Sequence, residues 1–151
     1  MRTREARLGT VTGMGVAQII TWGTTFYVLT VLASPIHQDT GWDRALVVAG
    51  LSLGLVAAGV VAPVVGAKIG SGRGRLVLAV SVGLVAAGQL VMAVAPSIHL
   101  YLVAWLIVGV GMGGGLYTGA FAVLAQLYGA TARSSITALT LFGGLASTIF
   151  W

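Results

Sequence analysis

The charged residues of this 151-residue chain are so few and so clustered that they leave four long stretches with no formal charge. These run from Leu8 to Gln38 (31 residues), Ala45 to Ala67 (23), Leu76 to Ala132 (57) and Ser134 to Trp151 (18). A helix needs about 20 apolar residues to cross the hydrocarbon core of a bilayer at a rise of about 1.5 Å per residue. The 57-residue stretch is too long for one crossing and suits two, with Pro96, Ser97 and His99 supplying the turn. Backbone polar groups in lipid must be bonded internally, which leaves helices or closed barrels. The apolar runs are continuous rather than alternating, so helices are expected.

The expected fold class is therefore all-α, a polytopic transmembrane helix bundle. After a tail at 1–8, the bundle occupies 9–151, with helices at about 9–33, 45–67, 76–95 and 100–128 and a fifth at 135–151. The fifth is still apolar at Trp151, so the chain is expected to be the amino-terminal part of a longer protein, about four and a half helices of it.

Seven of the eight basic residues lie at every second gap between these helices: Arg2, Arg4 and Arg7, then Lys68, Arg73 and Arg75, then Arg133. The intervening gaps hold only Arg44, with Asp39 and Asp43. Basic loops stay in the cytoplasm, so the amino terminus is expected inside, in the cell (inner) membrane. The net charge of +5 then has a local explanation. Nucleic-acid binding would need a basic face on a soluble domain, and these residues border apolar helices instead. Only 7% of the chain is charged, against about 25% in ordinary soluble domains.

A cleavable signal peptide does not fit, because the first apolar run far exceeds a signal core of about 7 to 15 residues and more spans follow. The absence of Cys excludes disulfides and thiolate chemistry. The glycine content, 23 residues, lies mostly inside the predicted spans, where small residues let helix backbones approach. Gly50 and Gly54 in the second span and Gly109, Gly111 and Gly113 in the fourth are the expected packing positions.

Several patterns that would signal enzymes lose that meaning in this setting. Gly109-Val-Gly-Met-Gly-Gly114 matches a dinucleotide fingerprint, but no strand precedes it and no acid follows about 20 residues later. Gly70-Ser-Gly-Arg-Gly74 lacks the G-K-[ST] ending of a phosphate loop. His37 and His99 have no ligand partners at metal spacing. No metal, cofactor or enzymatic activity is expected. Thr40-Gly-Trp-Asp43 fits a helix-capping box, with Trp42 as an interfacial anchor.

No Asp, Glu, Lys, Arg or His falls deep in a span, where proton and ion relays usually leave one. The polar residues there are neutral. Gln18, Trp22 and Thr25 share one face of the first helix, with Thr21 beside them. Tyr117, Thr118 and Gln126 interrupt the fourth, and Gln89 the third. Such a face either bonds to neighbouring helices or lines a water-filled cavity.

With a basic amino terminus, a polar face on the first helix and Pro63-Val-Val-Gly66 closing the second, the chain resembles the opening of a major facilitator superfamily transporter. The family's inner-loop pattern, G-x-x-x-D-R-x-G-R-R, is met in register at Gly66 and Arg75, and by Arg73 and Gly74 with a slip of one residue. Gly70 and Ser71 stand at its Asp and Arg. Of its fourth-helix pattern, R-x-x-x-G-x-G, Gly109 and Gly111 match and Trp105 replaces the arginine. Thr40-Gly-Trp-Asp-Arg-Ala45 resembles the monocarboxylate and oxalate/formate branch, and Leu51-Ser-Leu53 and Leu139-Thr-Leu141 echo each other as nested three-helix repeats would.

The resemblance implies a twelve-helix secondary transporter working by alternating access, with Gln18, Trp22, Thr25 and Tyr117 against the solute. It also implies a small-molecule solute, an organic anion being the class to try first, moved with a coupling proton or ion. The carboxy-terminal half would then be missing from this chain, which alone is expected to transport nothing. The rival expectation is a small oligomeric membrane channel or scaffold assembled through the glycine faces.

Overall fold

In a computed structural model, which describes Arg2–Phe150 with side chains from Leu8 onward, the described residues contain helices and no strands. Three helical stretches are long and apolar enough to cross a membrane: Leu8–Thr40, Arg44–Ala93 and Ile98–Phe150. Each has internal interruptions that divide it into the elements used below. The first comprises α1 (Arg2–Trp22), a wide π turn (Gly23–Tyr27) and α2 (Val28–Thr40). The second comprises α3 (Arg44–Lys68) and α4 (Gly74–Ala93). The third comprises α5 (Ile98–Gly115), α6 (Tyr117–Tyr128) and α7 (Ala132–Phe150).

These bounds correct several expectations. Helix already begins at Arg2, and the first helical stretch continues past 33 to Thr40. The expected fourth helix at 100–128 is two pieces, because Leu116 takes an extended ψ of −172°. The expected capping box at 40–43 is a different device. Thr40 closes α2, its hydroxyl donating to the Ile36 carbonyl, and Asp43 is itself the cap of α3, accepting from the Ala45 N–H at 2.6 Å. The Trp42 to Arg44 segment needs an extended residue before the helix, and Asp43 with ψ 126° supplies it.

Gly72 explains how the second stretch folds back. Its φ of 85° is a left-handed conformation that a side chain would oppose, and it sits between the last turn of α3 and the first of α4. Gly41 (φ 70°) and Gly129 (φ 50°) make the other two left-handed positions, one after α2 and one after α6. Chain direction can be read from neighbouring residues. Along α3, Gly50, Gly54 and Ala58 face Trp105, Gly109 and Gly113 of α5, so α3 and α5 run parallel. Gly88 faces Val108 while Gly111 faces Ser81, so α4 runs against α5. Gly15 meets Phe142 and Gly23 meets Phe150, so α1 and α7 run parallel. Successive passes therefore alternate in direction.

α5 is the hub. It packs chiefly on α4 and α3, while α7 packs on α1. Its contact with α3 is backbone on backbone: a Cβ on Gly109 would fall 2.6 Å from Gly54 Cα and 2.7 Å from its carbonyl carbon. Tyr101 and Trp105 close the outer part of this interface with Val47, Val85 and Leu29, and the Tyr101 hydroxyl donates to the Val47 carbonyl at 3.1 Å. Large apolar side chains point away from the bundle instead, among them Val56, Val60 and Val64 of α3 and Leu90 of α4. An apolar surface of that extent marks a lipid or protein contact rather than water.

The turns bring like charges together. Ile69 at the α3–α4 turn clusters with Val77 and with Val123 of α6, and Val11 of α1 clusters with Leu124 and Leu139. Lys68, Arg73, Arg75 and Arg133 thus occupy one end of the bundle, and Asp39, Asp43 and Arg44 the other.

Candidate solute site

The two interrupted helices meet at their interruptions. At Leu116 the α5 ladder stops, and Gly119 comes so close to the Gly114 carbonyl that a Cβ there would strike it. A carbonyl at such a break would be costly to leave unbonded in an apolar interior. Gln18 of α1 resolves this: its Nε2 donates to the Gly115 carbonyl at 2.7 Å, and the side chain is only 3% exposed. A second amide serves the other interruption. Gln89 of α4 donates through Nε2 to the Thr24 carbonyl, inside the π turn, at 2.7 Å. Within that turn Thr24 and Thr25 return their hydroxyls to the carbonyls of Ile20 and Thr21.

Aromatic rings line the junction. Trp22, the last residue before the π turn, stacks on Phe26 at 4.6 Å and lies 5.2 Å from Tyr117, the first residue after the break. Tyr117 in turn stacks on Phe121 at 5.1 Å. Its hydroxyl donates to the Thr140 carbonyl at 3.3 Å over Gly143, where no Cβ could be accommodated.

Of the four residues expected against a solute, the structure thus brings three together: Gln18, Trp22 and Tyr117. Thr25 is elsewhere. It is fully buried and lines a small chamber of about 40 Å³ with Gln89, Tyr101 and Trp105. The expectation that Gln18, Trp22 and Thr25 share a face assumed an unbroken 3.6-residue helix, and the π turn changes the angular spacing before Thr25. The chamber continues outward into a cleft of about 410 Å³ that includes Thr24, Trp42 and Asp39.

Three buried polar atoms in this region have no protein partner: Gln18 Oε1, Trp22 Nε1 and Trp105 Nε1. Buried groups of this kind are rare and call for a physical reason. Because Gln18 Nε2 points at Gly115, its Oε1 is left as an acceptor at the junction and the Trp22 indole as a donor, while Trp105 lies with Thr25 in the chamber, edge-on to Tyr101. The junction can therefore both give and accept a hydrogen bond, and it contains no charge.

Sequence reasoning undervalued Tyr101, Trp105 and Gln89. The signal for the first two was their i, i+4 spacing ahead of Gly109; Trp105 lies against the notch left by Gly50. Of the inner-loop residues, Gly66 accepts the Ile69 N–H, Gly74 is buried with Val123 where a Cβ would be at 2.7 Å, and Arg73 lines the cleft between α3 and α4. Arg75 is exposed. Ser71 donates to the Lys68 carbonyl at 2.8 Å. Among the described residues no three His, Asp or Glu side chains gather as metal ligands would. Compared with protein-family models, curated proteins and solved structures, the chain matches none.

Proposed function

We propose that the chain is a polytopic protein of the cell membrane, amino terminus in the cytoplasm, that carries the helix arrangement of a secondary transporter and moves a small solute by alternating access. The observation that carries this reading is an inverted repetition in the packing. In the first unit (α1 with α2, α3, α4) and the second (α5 with α6, α7), the leading helices run in opposite directions and both are interrupted midway. α3 packs parallel to the second unit's leading helix, and α7 packs parallel to the first unit's. Inverted repeats whose broken helices meet near the midplane are the usual frame of a transport site.

In this reading Gln18, Trp22 and Tyr117 contact the solute, and Thr25 belongs to the outward chamber. The solute is a small molecule with at least one acceptor for an indole N–H and one donor for Gln18 Oε1, such as a hydroxy acid or a protonated carboxylic acid. The coupling proton or ion would travel with it, since the junction has no titratable group of its own apart from the Tyr117 phenol. Gly50, Gly54, Gly109, Gly111 and Gly113, the glycines expected to pack, are occupied within the bundle by α3, α4 and α5, which weighs against an oligomer assembled through them.

Binding is tested by titrating the protein in detergent with lactate, glycolate, formate and oxalate at pH 5 and pH 7 while following tryptophan fluorescence. A saturable change for at least one of them, absent in Trp22→Phe and weakened in Gln18→Leu, is the expected result; an unresponsive wild type, or a response that survives Trp22→Phe, removes this site. Orientation is tested separately, because the chain has no cysteine. Single substitutions Ser71→Cys and Ala130→Cys should react with an impermeant maleimide only after the cytoplasmic side is opened, and Gln38→Cys and His99→Cys in intact cells. Labelling of all four from one side would exclude the alternating topology.

A further inference from the structure

We propose that the cleft between α3 and α4 at the basic end is a binding site for an anionic phospholipid, with one acyl chain in the cleft and the phosphate held between Lys68 and Arg73. This rests on the reading that the chain is embedded in a membrane, but not on the solute it moves.

The cleft exists because α3 and α4, although joined by a short turn, scarcely touch: α5 packs against both and holds them apart. The space left is about 390 Å³, with Val110 of α5 among its lining residues. Its walls are valines and leucines, among them Val61 and Val64 of α3 and Val80 of α4, and the two charged groups on it are Lys68 and Arg73 at the turn. Val64 and Val80 are more than half exposed, so the cleft opens sideways out of the bundle. From Lys68 to Val61 is two helical turns, about 10 Å along the axis.

This division of polarity fits one occupant. A cleft whose only charged groups are two cations at one end, with Ser81 the one neutral polar residue along otherwise apolar walls, matches a molecule with an anionic head and a long apolar tail. Free phosphate or a nucleotide would leave the valines unused. A helix, about 10 Å across, could cover the cleft but not enter between α3 and α4, which are tied together by the turn. The acids Asp39 and Asp43 lie at the opposite end and do not neutralise the pair. Basic pockets between membrane helices on the cytoplasmic side bind anionic headgroups by the same logic, and a guanidinium and an ammonium on one cleft combine a directional fork with a compact charge.

The test is native mass spectrometry of the purified chain with phosphatidylglycerol or phosphatidylcholine of equal chain length. The wild type should retain the anionic lipid about 30-fold better, as two basic residues near an anionic surface imply. Lys68→Gln with Arg73→Gln should bring the two lipids within about twofold, whereas Arg133→Gln, at the same end but off the cleft, should leave the preference intact. Val80→Trp, which fills the cleft, should reduce retention of both lipids. Equal retention by the wild type, an Arg133→Gln effect as large as the double variant's, or displacement of the lipid by 10 mM inorganic phosphate would each overturn the proposal. Carbonate extraction of cell membranes is run alongside on every variant. A chain released by carbonate sinks the membrane reading itself, while a chain that stays in the membrane yet shows no lipid preference sinks only this site.

Discussion

The α3–α5 contact and the α1–α7 contact are both parallel pairings of helices far apart in sequence, yet they are built differently. In the first, the Gly54 and Gly109 backbones touch with no side chain between them, one turn beyond the Trp105 ring that lies in the Gly50 notch. In the second, a ring lies on glycine: Phe142 fills the notch at Gly15 and Phe150 the notch at Gly23. Backbones that touch have no way to yield, so the α3–α5–α4 slab is set in one arrangement. A ring in a notch can turn about two side-chain bonds, so the α1–α7 contact can absorb a shift of one helix past the other. The two contacts share a parallel direction but not a stiffness.

Substituting the stiff contact should have the largest effect. Gly109→Val places methyl groups on the Gly54 backbone, and the overpacking should cost about 3 kcal/mol, read as a much lower thermal midpoint by size-exclusion chromatography in detergent. An unchanged midpoint would mean that α3 and α5 are not in contact through these glycines. Gln18→Leu comes next. It strands the Gly115 carbonyl at the α5–α6 break and should cost about 1.5 kcal/mol, near the upper end for a hydrogen bond between membrane helices. Gln89→Leu should cost less, because Gln89 is only partly buried where it reaches Thr24; a larger loss for Gln89 than for Gln18 would reverse the ranking of the two interruptions.

The yielding contact is sharpened by a double-mutant cycle. Gly15→Ala should cost about 1 kcal/mol and Phe142→Leu about the same, but the pair should recover at least half of the summed loss, because the smaller side chain vacates the notch. Additive losses would show that the ring cannot adjust and that the two contacts are equally stiff. The smallest change is expected outside both. Asp43→Ala removes the cap of α3 and should cost about 0.5 kcal/mol, at the low end for an exposed N-cap, and Asp43→Asn should restore it.

Much of the layout was legible because hydropathy and charge act over whole helices. The turns near Gly72 and Gly129 lie beside Arg73 and Arg133, as the spacing of basic residues required. The interruptions were not legible. Tyr117 and Thr118 read as polar interruptions of a continuous helix rather than as its end, because the break goes with the close approach of Gly119 to Gly114, a relation between two turns of chain. The π turn was hidden for a similar reason: Gly23-Thr-Thr-Phe-Tyr27 reads as ordinary helix until Gln89, 65 positions away, is seen to bond within it. The polar face rests on an ideal helix, which sets Gln18, Trp22 and Thr25 on one side; in the structure Gln18 and Trp22 lie beside the α5–α6 break, and Thr25 lines the chamber with Gln89. That Gln18 would meet the tail of α5 could not be inferred from its own segment at all.

The fixed pairing of Gly50, Gly54 and Ala58 with Trp105, Gly109 and Gly113 has a consequence for which changes of length the chain can absorb. All three pairs are separated by the same number of residues, so a residue inserted in the loop at 94–97 leaves every partner where it was. One residue inserted inside α3, between Gly50 and Ala58, rotates everything beyond it by about 100° and turns Gly54 or Ala58 away from its mate. Insertions and deletions should therefore be confined to the connections, and a helix of otherwise ordinary composition is held to its length as strictly as to its sequence.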